Sequence, residues 1–344
     1  MVKYTRKKNI FKRKTQRGGS NKKCIFLTLK GGFGNQLFIY AIGRLIQKKT
    51  DNILCLLNHY TVTKHSDNYK KIFKEIYEGN DTQPINSAKK LTTEDEKKIY
   101  KFISKNKHND IKICTELYFQ NYRLVHPVIK GIKKMLIDNE FHKEHYNKFC
   151  KMIDCKHSSF FHVRRGDYVE ENRLLPNEYF YKGLEILEKN ATIKKVYVIS
   201  DDLKWCKDHD SEFKKYSTKI EYLEDLNELE TMYCMMLCEA GAIISNSTFS
   251  AWGAMLGADM NKKSTIVYPQ YLWGLGDDRN KENPLKFPDR WMPINTINSM
   301  VGGNKEDIII SQPWGGLGDN LQYTSLPELY SKLGHNVYII RKQI

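Results

Sequence analysis

No stretch of this chain is long and apolar enough to cross a bilayer. The most apolar segment, TMYCMMLCEAGAII at 231–244, is interrupted by Glu239 and falls far short of the ~20 residues a crossing takes. A secretory leader is lacking too, because residues 1–23 hold no apolar run longer than two residues. The eight cysteines, at 24, 55, 114, 150, 155, 206, 234 and 238, include no CxxC pair. They are expected to be reduced core thiols of a cytoplasmic protein. Cys234 and Cys238 stand one helical turn apart, but no His or second pair completes a zinc site, so no metal role is expected of them. Acid is missing from residues 1–23, which carry ten Lys/Arg of a net charge of +16, leaving only +6 for the other 321 residues. With neither helical nor strand period, that tail reads as a solvated, disordered basic arm. Attraction to an anionic membrane face is its alternative, and no nucleic-acid partner is expected.

What is present alternates. KCIFLTL (23–29) has strand length, and Leu37, Phe38, Ala41, Ile42, Leu45 and Ile46 then recur at helical spacing before a second strand, NILCLL (52–57). Residues 60–110 are polar and Lys-rich and read as surface helices and loops, IKICTELYF (111–119) reads as a strand, and helical segments follow to about 152. From Ser158 onward, SFFHV, KVYVIS, KIEYL, AIIS and TIVYP are five short apolar strands separated by the helices NEYFYKGLEILEKN, LKWCKDHDSEFKKY, ELETMYCMMLCEA and FSAWGAML. That rhythm predicts an α/β fold with a parallel, doubly wound sheet, whose ligands gather at the carboxyl ends of the strands.

The residues just after those strands carry the chemistry. His162-Val163-Arg164-Arg165-Gly166-Asp167 sets two adjacent guanidinium groups where a strand runs into a loop, an array suited to a diphosphate. Ser200-Asp201-Asp202 follows the next strand and suits either a helix cap or a sugar or nucleoside hydroxyl. Ser247 or Thr248 can cap the helix after the fourth strand while its first amides face a phosphate. GGFGNQLF (31–38) lacks both the third glycine of the dinucleotide fingerprint and the Lys-Ser/Thr of a P-loop, yet a glycine turn at a helix start lets backbone approach a ligand. Asp208-His209-Asp210 has the DxD form of metal-dependent sugar transferases, but lies within a polar helix and reads as a solvated face.

In order and wording, GGFGNQLFIYA, YFQNY (118–122), FHVRRGDYV (161–169), VISDD (198–202) and MYCMMLCEAGAIISNSTFSAWGAML (232–256) resemble the motifs of glycosyltransferase family 11, the α-1,2-fucosyltransferases. The resemblance runs over about residues 24–294, through YPQYLW and PDRWMPI, and departs at Ala251, where bacterial relatives commonly have tryptophan. It implies a GT-B architecture of two facing Rossmann-like domains. It implies an inverting, metal-independent transfer of L-fucose from GDP-fucose to the 2-hydroxyl of a galactose-containing glycan, with no cofactor. Arg164 and Arg165 would hold the pyrophosphate, His162 and Asp167 would shape the nucleotide pocket, and Ser247 and Thr248 would lie near the phosphates or guanosine. Gly32, Gly34, Asn35 and Gln36 would line the cleft from the opposite domain. A proton acceptor, if one is needed, would come from Asp201, Asp202, Asp167 or Glu230, with Arg165 stabilising the leaving diphosphate. A glycan- or sugar-nucleotide-binding protein without turnover, and transfer of another GDP-deoxysugar, are the alternatives.

These readings divide the chain into a tail (1–23), an acceptor-side domain (24–152), a donor domain (153–297), a linker (298–307) and a further unit (308–344). The last, IIISQPWGGLGDNLQYTSLPELYSKLGHNVYII, repeats strand, glycine turn, helix and strand, with Gly315, Gly316 and Gly318 matching Gly31, Gly32 and Gly34. A β-α-β unit of this size cannot bury both faces of its sheet. It reads as the start of a second glycosyltransferase-like domain in a bifunctional chain, docking as extra strands being the alternative.

Overall fold

Short strands that are apolar on both sides need helices on both faces, and the structure is built that way. It is a computed structural model that describes residues 22–57, 72–73, 83–92, 98–114, 118–138, 143–171, 173–190, 192–271, 285–296, 307–312 and 336–341. The first unit comprises β1 (Cys24–Leu27), α1 (Phe33–Thr50), β2 (Ile53–Leu56), α2 (Gln83–Ser87), β3 (Lys89–Leu91), α3 (Ile99–Lys105) and β4 (Ile111–Ile113). Its four strands are parallel in the order β2-β1-β4-β3. Three helices follow: α4 (Tyr122–Val125), α5 (Ile129–Ile137) and α6 (Lys143–Met152). The periodic residues of α1 are all buried, and the helix stops where Asp51 takes a left-handed conformation and its N–H returns to the Gln47 carbonyl.

The second unit comprises β5 (Ser158–Val163), α7 (Asn177–Glu188), β6 (Lys195–Ser200), α8 (Leu203–Asp208), α9 (Asp210–Lys214), β7 (Ile220–Tyr222), α10 (Glu228–Leu237), β8 (Gly241–Ile243), α11 (Thr248–Leu256), β9 (Thr265–Pro269) and β10 (Met292–Ile294). All six strands are parallel in the order β10-β9-β8-β5-β6-β7. The chain winds outward from β5 through β6 to β7, then returns to the other side of β5 at β8 and winds the opposite way. That is the strand order of a doubly wound nucleotide-binding sheet, in which ligands bind where the winding reverses, here at the carboxyl ends of β5 and β8.

The first strand and helix, the second strand and the alternation after Ser158 thus stand as read, and the fold is α/β with a parallel sheet in each of these two units. Four details differ. The strand expected over 111–119 ends at Ile113, with Cys114, Tyr118 and Phe119 outside it and Phe119 at φ 53°. The polar 60–110 stretch contributes β3, a sixth strand β10 lies inside the PDRWMPI segment, and the helix expected from LKWCKDHDSEFKKY breaks at His209 into α8 and α9.

Separate cores for the two units are not what the packing shows. One apolar cluster runs from Ile25 and Leu27 through α1, α4 and α5 into Met232, Tyr233, Trp252 and Met255, so the units share a core. A second cluster, including Phe161, Phe180, Leu184 and Phe213, covers the other face of the second sheet. The units meet where Gly34 of α1 lies under the start of α11: a Cβ there would sit 2.5 Å from the Phe249 backbone nitrogen. Only glycine permits that approach.

β11 (Asp307–Gln312) and β12 (Asn336–Arg341) pair parallel in a separate two-stranded sheet. The glycine turn and helix expected between them, the 298–306 part of the linker and the tail to residue 21 lie outside the described residues. Among the described residues, no helix is long and apolar enough to cross a membrane.

Candidate active site

β5 is buried at all six positions, so its direction is held by sheet and helices, and the chain emerges from it at Arg164 and Arg165. Asp201, just past β6, organises that exit. Its Oδ1 accepts the Arg165 backbone N–H at 2.8 Å, while its Oδ2 pairs with Arg164 Nη1 at 2.8 Å. Arg164 Nη2 also donates to Asp167 Oδ1 at 2.5 Å. Gly166 is constrained from the same side, because a Cβ there would lie 2.4 Å from Asp201 Oδ2.

Arg165 is held by different groups. Its Nε donates to Asp202 Oδ2 at 3.1 Å, and its guanidinium lies 4.3 Å from the centre of the Trp205 ring. Asp202 in turn caps α8 by accepting the Trp205 N–H at 3.0 Å. Both readings of the Ser-Asp-Asp turn are therefore qualified: Asp202 is the cap, and Asp201 and Asp202 both contact arginine. The aspartate contacts engage only Nε of Arg165, so its two terminal nitrogens are the pair suited to bidentate binding of phosphate oxygens, while Arg164 contributes its charge beside them.

The β8 side of the reversal supplies the second wall. Ser247 is the N-cap of α11, its Oγ accepting the Phe249 N–H at 3.3 Å. His162 is buried and its Nδ1 lies 2.8 Å from Ser245 Oγ. Burial, reinforced by the charge of Arg164, pushes the His162 imidazole down to about 3, so it stays neutral. His162 thus ties β5 to the loop after β8. A rim of Tyr168 and Arg173 closes the arrangement, with Tyr168 donating to the Asn246 carbonyl at 3.3 Å and the Arg173 guanidinium 4.1 Å from the Tyr168 ring centre.

From the first unit, Gly31 adopts φ +71° and Gly32 is the N-cap of α1. Asn35 reaches across the seam, its Oδ1 accepting from Thr248 Oγ1 at 3.1 Å and from Gln120 Nε2 at 2.8 Å. Gly32 and Asn35 are partly exposed beside α11, as a cleft-lining role requires. Gln36 and Gly34 are not. Gln36 is 3% exposed with its Nε2 turned back to the Gly31 carbonyl, and Gly34 is covered by α11. Both are corrections to the expected cleft lining: on the first turn of α1 these positions face the core and the neighbouring helix.

Glu230 is drawn away from the arginines. It completes a capping box with Asn227 at the start of α10, and its Oε1 lies 2.7 Å from His145 Nδ1 on α6. The DxD pattern is engaged locally as well: Asp208 pairs with Lys204, Asp210 pairs with Lys214 and accepts from Tyr222, and the His209 ring stacks on Trp205 at 4.0 Å. Only part of it is a solvated face, since His209 is half-buried. Residues that the sequence did not single out are Trp205, Ser245, Tyr168, Arg173 and Gln120. Of these, Tyr168, Gln120 and Ser245 sit inside the motifs FHVRRGDYV, YFQNY and MYCMMLCEAGAIISNSTFSAWGAML and carried a signal.

Residues 140–272 match Glycosyl transferase family 11. An α-1,2-colitosyltransferase of Escherichia coli is 25% identical over 288 residues, covering 77% of this chain and 97% of the relative. The O-antigen biosynthesis glycosyltransferase WbnK of Escherichia coli is 25% identical over 309 residues, covering 75% and 97%. Among solved structures, the fucosyltransferase NodZ from Bradyrhizobium aligns at TM-score 0.41 and 12% identity over 69% of this chain and 94% of its own. POFUT1 in complex with GDP-fucose aligns at TM-score 0.41 and 12% identity over 73% and 98%. The matched stretch, 140–272, carries the double arginine, the Ser-Asp-Asp turn and the start of α11, and it is there that the chain is similar to glycosyl transferase family 11.

Proposed function

We propose that this glycosyltransferase moves L-fucose from GDP-β-L-fucose to the 2-hydroxyl of a galactose-like acceptor, inverting the anomeric centre and using no metal ion. The observation that carries the reading is Arg164 and Arg165 held side by side at the switch point between β5 and β8, with Asn35 reaching in from the other unit. Cleaving the bond from fucose to GDP builds negative charge on the diphosphate and positive charge on the ring. Cations fixed in advance stabilise that transition state more than the ground state. Arginine then supplies the electrostatic role that a divalent cation plays in other sugar transferases.

Asp201 and Asp202 serve in this reading to hold the arginines. Their oxygens are already occupied by guanidinium and backbone donors, which leaves few lone pairs for an acceptor hydroxyl. Proton loss from the acceptor then comes late, from a loosely bonded transition state. Gly32 and Asn35 would face the acceptor and the reacting sugar.

One specific observation favours a second reading: the relative named an α-1,2-colitosyltransferase makes colitose an alternative transferred sugar. A screen of nucleotide deoxysugars against galactosides, with mass spectrometry and NMR of the product, separates the two. A fucoside with a new α-1,2 linkage is expected. A colitoside in its place selects the second reading, and GDP-sugar binding without any product would leave only a binding protein.

A further inference from the structure

A cavity among the described residues lies away from the double arginine. It occupies about 780 Å³ between the carboxyl-terminal half of α1, the turn from His126 into α5, and the Asp259–Lys262 and Arg290 segments of the second unit. On α1 its lining begins at Arg44 and continues to Asp51. With Asn35 marking the candidate active site, the ~1.5 Å rise per residue puts roughly 14–24 Å of helix between the two places. The volume falls within the range of ligand sites and comfortably exceeds a few ordered waters.

Its charge is one-sided. Arg44, Lys48, Lys130, Lys262 and Arg290 line it, with His126 beside them, against the carboxylates of Asp51 and Asp259. Asp259 is not an open acceptor. It is buried and receives the Tyr122 hydroxyl at 2.8 Å, the Trp291 indole N–H at 2.6 Å and the Arg290 guanidinium. That arrangement fixes Arg290 at the cavity wall. Lys48 is likewise steadied, donating to the Pro127 carbonyl at 3.1 Å. The cations come from both units, so a multivalent anion seated among them would bridge α1 and α5 to the second unit.

We infer that this cavity is a second anion site, separate from the candidate active site, which takes a phosphate- or diphosphate-bearing ligand. Two or more phosphate charges are needed to engage cations on opposite walls, and like charges gathered in a concave surface focus the field on such a ligand. A free phosphate and one attached to a larger molecule present the same chemistry to the cavity.

The test is calorimetric titration of the full chain with inorganic pyrophosphate, in an Arg164→Ala/Arg165→Ala background that removes the other anion-binding array. Saturable binding is expected, weakened at least about tenfold by adding Lys130→Glu and Lys262→Glu, two exposed positions whose substitution should leave the thermal unfolding midpoint unchanged. Sulfate should bind more weakly than pyrophosphate. No saturable binding in that background, or binding indifferent to the two Lys→Glu changes, overturns the inference. Equal affinity for sulfate overturns it as well, by reducing the site to non-selective charge attraction. A geranyl diphosphate arm then separates sources: tighter binding than pyrophosphate, lost with the same lysines, indicates a lipid-linked diphosphate, and equal binding indicates a free one. Because these arms do not require sugar transfer, they stand or fall independently of the proposed reaction.

Discussion

At the scale of single residues, neighbours decide what each group near the arginines can do. His162 shows this best. Its position near the carboxyl end of buried β5 would suit a catalytic base, yet burial and Arg164 keep its ring neutral. In the unfolded chain its pKa is 6.5 and in the folded protein about 3, so below about pH 6.5 the unfolded state binds the extra proton. The stabilising contribution is complete above that value and is lost as pH falls toward 3. The His162 ring resonances should not move between about pH 5 and 8, a range in which an ordinary histidine titrates. In urea titrations, His162→Gln should flatten the loss of stability on acidification. A His162 ring that titrates near 6.5 would refute the burial argument.

The same scale explains what could be read from the sequence alone. Arg164, Arg165, Ser247 and Thr248 were legible because a parallel sheet exposes the residues that follow its strands, and strands are recognisable as apolar runs. Gln36 was not. A glutamine beside a glycine turn looks like a ligand contact, but which way a helix turns its polar residues depends on the partner it packs against. Asp201 was legible as a polar residue at a strand end, while its role as a bridge between two arginines depends on how β5 and β6 lie side by side.

At the scale of elements, contacts between segments far apart in sequence govern. α1 and α11 cross at Gly34, where a side chain has nowhere to go except into backbone. Gly34→Ala should therefore destabilise the protein by about 2 kcal/mol, as overpacking commonly does, even though alanine favours helices. Urea unfolding measures it, and a neutral or stabilising effect would show that the helices can part without cost. Asp259 joins α4 to the segment around Trp291, three donors converging on one buried carboxylate. Asp259→Ala should cost about 3 kcal/mol, the lower end for a broken buried pair because Arg290 keeps access to water. A loss below about 1 kcal/mol would demote it to an ordinary surface pair. Elements themselves were readable where apolar runs were long. β3 escaped because Lys89 and Lys90 are exposed and only Leu91 is buried, and β10 because two of its three residues face solvent. No periodicity can show in so few positions. The break at His209 comes from its ring stacking on Trp205 and from Asp210 bonding Tyr222, contacts absent from any local pattern.

At the scale of the whole molecule, two parallel sheets share one continuous core, and the candidate active site lies where the second sheet reverses its winding, against the start of α1. An enzyme that neutralises its leaving group with guanidinium groups should lose little transfer activity in EDTA, and a sharp loss restored by Mn²⁺ would overturn the metal-free reading. The central claim is that Arg164 and Arg165 receive a nucleoside diphosphate at that reversal. Calorimetric titration of GDP into the full chain and into its Arg165→Ala and Arg165→Lys forms tests it most directly. The account predicts saturable binding by the unaltered chain, weakened at least about tenfold by alanine and only partly recovered by lysine, because a charged hydrogen-bond fork is lost while the fold stays intact. Undiminished GDP affinity in a folded Arg165→Ala protein would contradict it.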